Sequence, residues 1–122
     1  MPGWTVRVED SFAAAHFIKD YHGKCERLHG HNYRVRAYAA GETLGRGGML
    51  FDFGPLKAAL HEVLEELDHS LLNENPRYRE TEPSAELIAF HIFHRLKSLL
   101  PGCPLRRIEV FETEKNMAAF EA

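Results

Sequence analysis

The chain is poor in the features that would place it outside ordinary globular proteins. It has only two cysteines, Cys25 and Cys103, in 122 residues. They lie far apart in sequence, and in a reducing compartment both are expected as free thiols. No apolar run approaches the length of a membrane span, so a helical membrane protein is excluded. The opening stretch MPGWTVRVED lacks the apolar segment of a signal peptide, which makes a cytoplasmic protein the expectation. Charge of neither sign dominates: the net value is −3, which argues against a generic nucleic-acid binder. There is no repeat, low-complexity tract or linker, and the length suits one domain over 1–122. Against this background stand eight histidines, the commonest metal-ligating residue and one that titrates near neutrality.

Trp4, Val6 and Val8 alternate with polar neighbours, which predicts a strand running towards Phe12 and His16. A polar loop, 19–28, follows. From His29 the alternation resumes, with His29, His31, Tyr33, Val35 and Ala37 on one face and Asn32, Arg34 and Arg36 on the other. GETLGRGG reads as a hairpin loop and MLFDF as a further short strand. Gly54-Pro55 opens a helix whose apolar stripe runs from Leu56 to Leu67. Ser84 caps a second helix reaching Leu99, ended by Pro101, Gly102 and Pro104. A last strand, Leu105 to Thr113, puts Ile108, Val110 and Glu112 on one face. The order predicts an α+β domain, an antiparallel sheet with helices on one face.

Residues i and i+2 of a strand point the same way, so His29 and His31 are placed to share one ion. Alone, the pair reads equally well as two half-buried strand histidines. His16, ending the first strand on the face of Phe12 and Ala14, is the natural third ligand. Three imidazoles with an open fourth position describe a catalytic zinc site. His22, His61, His91 and His94 read as surface histidines, the last two lying at the edge of, or opposite, their helix's apolar stripe.

Three further groups stand out. Cys25, four residues before His29, is placed where a nearby cation would favour the thiolate, a base and a nucleophile. Asp68 and His69 come at the end of the first helix, where neighbours point about 100° apart and are not expected to pair simply with each other. Glu112 is an inward carboxylate, and buried carboxylates need donors; a ligand with an N–C–NH₂ edge would supply them. Each has a structural alternative: a small apolar core residue, a helix terminus, and a strand-end glutamate reaching solvent.

FAAAH at 12–16, CERLHGHNY at 25–33, LDHSLLN at 67–73, PSAEL at 83–87 and FETEKNMAAF at 111–120 occur in an order that resembles the 6-pyruvoyl-tetrahydropterin synthase family over nearly the whole chain. The spacing C-x-x-x-H-G-H is similar to the bacterial 6-carboxy-5,6,7,8-tetrahydropterin synthase branch, which acts in queuosine synthesis. The resemblance implies a T-fold, also called a tunnelling fold: a four-stranded antiparallel sheet with two helices on one face. It implies zinc on His16, His29 and His31, proton transfer by Cys25, Asp68 and His69, and a pterin held by Glu112 with Thr113 beside it. It also implies a homohexamer, a dimer of trimers with sites between subunits, acting on 7,8-dihydroneopterin triphosphate without nucleic acid or membrane. The alternatives are 6-pyruvoyl-tetrahydropterin synthase activity, folate-linked side-chain cleavage, and a non-catalytic zinc- or pterin-binding module. Glu26 also fits E-x-x-H-G-H, the pattern of the folate-linked branch, and Phe120 stands where tyrosine is frequent.

Overall fold

The computed structural model describes residues 2–18 and 27–122. Two long strands, β1 (Trp4–His16) and β2 (His29–Gly41), pair antiparallel along their whole length. After β2 come helix α1 (Phe53–Glu65), a two-residue strand β3 (Ser70–Leu71), helix α2 (Ala85–Leu99), and strands β4 (Leu105–Phe111) and β5 (Met117–Glu121). The sheet order is β3-β1-β2-β4-β5. The four longer strands are antiparallel, and β3 runs parallel to β1 beside Ala14 and Ala15. The expected α+β arrangement is present with one strand more than expected. β3 is too short to show periodicity. β5 follows a turn in which Thr113 Oγ1 accepts the N–H groups of Lys115 (3.2 Å) and Asn116 (3.0 Å), so the predicted last strand ends at Phe111 and the chain reverses.

Both helices form where the sequence supplies caps and apolar stripes. Asp52 accepts the Gly54 N–H at 2.9 Å and starts α1 at Phe53. MLFDF is therefore the approach to a helix and not a strand. GETLGRGG joins β2 to α1, with Gly47 and Gly48 at φ 72° and 70°, a region that favours glycine. Ser84 Oγ accepts the Leu87 N–H at 3.2 Å and starts α2. α1 packs on β1, and α2 packs on β4 and β5. The helices bury Leu60, Val63, Ile88 and Ile92 against Val35, Ala37, Ile108 and Val110 of the sheet. His91 departs from the expected surface position. It is buried, with Nδ1 3.0 Å from the Tyr78 hydroxyl, because the loop segment carrying Tyr78 folds over that side of α2. His61 and His94 are exposed as expected; His22 lies outside the described residues.

Candidate metal centre and adjoining clefts

The β1–β2 register builds the site. Phe12 lies opposite Tyr33, Ala14 opposite His31, and His16 opposite His29. Directly opposed side chains on one face lie within contact distance, so one strand end and one H-x-H pair meet without any loop. The ring centroids of His16, His29 and His31 are 4.5 to 5.2 Å apart. One nitrogen from each falls within 4.8 Å of the others. Tyr33 forms the floor, fully buried, its ring stacked on Phe12 at 4.7 Å. Burial pushes the Tyr33 phenol pKa up, so it stays protonated beneath the histidines.

Two backbone carbonyls fix the imidazoles. His16 Nδ1–H donates to Pro83 O at 2.7 Å, and His29 Nδ1–H donates to Arg27 O at 2.6 Å. A donating Nδ1 leaves Nε2 as the lone-pair nitrogen of a neutral ring. The Nε2 atoms of His16 and His31 are buried and have no hydrogen-bond partner among the described residues. Buried polar atoms are ordinarily paired, and an unpaired nitrogen aimed at two others is what a metal ligand presents. Burial holds the His16 and His31 pKa values below the ordinary imidazole range, which keeps both rings neutral and free to coordinate. For His16 the Pro83 hydrogen bond opposes this, and for His31 the Glu112 charge does. The donor set of three imidazoles with outer-shell carbonyls therefore fits zinc.

Pro83, of PSAEL, and Asn73, of LDHSLLN, also position the centre, in roles that the sequence did not reveal. Pro83 brings the start of α2 against His16. Asn73 clamps the end of β1, donating to Phe17 O and accepting from Phe17 N–H, both at 2.9 Å. A capping motif or an apolar stripe leaves a pattern in sequence; a carbonyl or a carboxamide bridging distant segments leaves none.

Glu112 continues the inward face of Ile108 and Val110, half-buried, with Oε2 3.4 Å from His31 Nε2. It shares a cleft of about 450 Å³ with His31. A second cleft, about 460 Å³, runs past the other side of His31 to His69. Contrary to the helical argument, Asp68 and His69 do pair: His69 Nδ1 lies 2.9 Å from Asp68 Oδ2. The helix has ended at Glu65, and His69 sits at φ 55°, which swings its ring back over Asp68. The other Asp68 oxygen accepts the Ala13 N–H at 2.8 Å. That bond first, then His69, holds the Asp68 carboxyl pKa below its ordinary value. The His69 ring is 82% exposed. Thr113 is exposed in the β4–β5 turn, its hydroxyl oxygen engaged there. Cys25 and Glu26 lie outside the described residues.

Three comparisons give the site a context. The family model described as 6-pyruvoyl tetrahydropterin synthase matches residues 5–122. The chain is 39% identical to a 6-carboxy-5,6,7,8-tetrahydropterin synthase of Synechocystis sp., covering 96% of this chain and 92% of that one. It is 37% identical to a putative 6-carboxy-5,6,7,8-tetrahydropterin synthase of Archaeoglobus fulgidus, covering 93% and 91%. Among solved structures, a 6-pyruvoyl tetrahydropterin synthase of Caenorhabditis elegans superposes with a TM-score of 0.86 at 31% identity, covering 100% of this chain and 97% of that one.

Proposed function

Because the chain belongs to the 6-pyruvoyl tetrahydropterin synthase family of lyases, we propose that it is the carboxy-forming member. Its reaction would convert 7,8-dihydroneopterin triphosphate and water to 6-carboxy-5,6,7,8-tetrahydropterin, acetaldehyde and triphosphate, in queuosine synthesis. The observation that carries this reading is the His16/His29/His31 cluster, in which the buried Nε2 atoms of His16 and His31 make no hydrogen bond, set between a carboxylate and an Asp–His pair. The C-x-x-x-H-G-H spacing and the two relatives named as carboxy synthases favour that branch. The likeness to a pyruvoyl synthase supports the competing reading, in which triphosphate leaves and the three-carbon side chain stays.

The chemistry asks for bases. The ring ends at the tetrahydro level, so protons must move from the side chain to the ring while a carbon–carbon bond breaks. His16, His29 and His31 would hold zinc, which would supply Lewis acidity for enolate-like charge on the substrate side chain. Cys25 would remove a side-chain proton as the thiolate, the form that is both base and nucleophile. His69, oriented by Asp68, moves a second proton. Asp68, held ionised by the Ala13 N–H, orients the His69 ring without taking the proton itself. Glu112 accepts from the N–C–NH₂ edge of the pterin, with Thr113 beside it.

We further infer a homohexamer of two stacked trimers. The exposure of His69 suits action at a neighbouring subunit's site. β5 at one edge, and β1 covered only by the two-residue β3 at the other, leave strand edges that barrel closure would pair. No described helix is long and apolar enough to cross a membrane, and a cytoplasmic enzyme is the reading adopted. The test is metal dependence. Chelator-stripped protein should lose turnover of dihydroneopterin triphosphate and regain it with stoichiometric zinc; full turnover without metal would overturn the assignment.

A further inference from the structure

Among the described residues that line the Glu112 cleft, Arg34 is the cation, and its Nε has no acceptor. It lies on β2 two residues beyond Asn32, facing away from the helices, where it stands opposite Phe111. Its guanidinium carbon sits 5.1 Å from the centre of the Phe111 ring, and that of Arg36 sits 4.8 Å from the same ring. The two differ in their partners. Arg36 Nε donates to Glu9 at 2.7 Å. Arg107 on the same sheet face is likewise paired, to Glu109 and Glu121. Arg34 has no carboxylate within ion-pair distance among the described residues, although the charge of Glu9 is felt at longer range. Its Nε is buried and without an acceptor. A buried guanidinium donor left unpaired is costly, and stacking on Phe111 holds the fork in one orientation.

The cleft of about 450 Å³ is thus polarised: Glu112 on the helix-facing side offers acceptors, and Arg34 on the opposite side offers donors. Its matching ligand has an N–H edge at one end and an anionic arm at the other. Glu114 at the turn adds a further negative charge, which discourages an anion at that end and directs the arm towards Arg34. We propose that Arg34 binds the phosphate arm of the substrate, by two parallel N–H donors to phosphate oxygens. The proposal rests on the lyase reading for the identity of the ligand.

The test uses the full chain and inorganic tripolyphosphate, titrated calorimetrically. Arg34→Met keeps the stack on Phe111 and removes the charge. It should weaken tripolyphosphate about ten- to a hundredfold and raise KM for dihydroneopterin triphosphate alike. Affinity for a pterin without a side chain should be unchanged, which a merely structural role would not spare. Arg34→Lys should recover part of the loss, and Arg36→Met should leave tripolyphosphate binding intact. Equal tripolyphosphate affinity in the wild type and Arg34→Met would overturn the assignment while leaving the lyase reading in place. No turnover of dihydroneopterin triphosphate, with Arg34-dependent tripolyphosphate binding retained, would overturn the lyase reading and support the anion site.

Discussion

Replacing His91 by glutamine should make the fold less sensitive to acid. His91 is buried beneath the Tyr78 segment, its Nε2 has no partner among the described residues, and burial pushes its pKa down to about 4 from 6.5. Arg77 and Arg95 add to the depression, and Glu66 opposes it. The folded state therefore holds the ring neutral where the unfolded chain would protonate it. The stability contributed is fully present above about pH 6.5 and is lost as pH falls towards 4. A difference of that size amounts to about 3 kcal/mol by pH 4, a large share of a typical domain's stability. Urea unfolding of the wild type and His91→Gln between pH 7.5 and 4 measures it. His16 and His31, also depressed, are common to both proteins and drop out of the difference. The wild type should lose its midpoint more steeply, with the gap opening below pH 6.5. Parallel loss in the two proteins would refute the reasoning.

His29→Ala and His31→Ala should each lose bound zinc by elemental analysis; full occupancy in both would remove these histidines from the metal site. Glu112→Ala should weaken a side-chain-free pterin markedly in a fluorescence titration, since charge-assisted hydrogen bonds are worth about 1.5–3 kcal/mol each, and unchanged affinity would count against the anchor. Cys25→Ala should keep zinc and substrate binding yet lose turnover by about 10²–10⁴-fold, while Glu26→Ala keeps most of it. The reverse pattern would make the glutamate the base and move the chain to the folate-linked branch.

The meeting of His16, His29 and His31 was legible because it depends on two short-range rules, strand alternation and a terminal histidine on the same face, and the antiparallel register joined them. The inward placement of Glu112 was legible for the same reason. Asp68 and His69 were misread because the reasoning assumed helical geometry beyond Glu65, whereas one residue at positive φ reverses the angle between neighbours. His91 was misread because its burial comes from Tyr78, in an irregular segment with no periodicity to announce its docking. Pro83 and Asn73 stand in the quoted stretches PSAEL and LDHSLLN, but their contacts run through a carbonyl and a carboxamide whose distant partners no spacing reveals, and the cleft polarity emerges only when Glu112 and Arg34, on opposite faces and different strands, are seen at one sheet end.

The central claim is the carboxy-forming reaction at this histidine centre, and the mass of its pterin product tests it most directly. Incubation of the zinc-loaded protein with 7,8-dihydroneopterin triphosphate should yield 6-carboxy-5,6,7,8-tetrahydropterin with matching amounts of acetaldehyde and triphosphate. A pterin that retains all three side-chain carbons, with triphosphate released and no acetaldehyde, would contradict the account and assign the chain to the pyruvoyl-forming reaction.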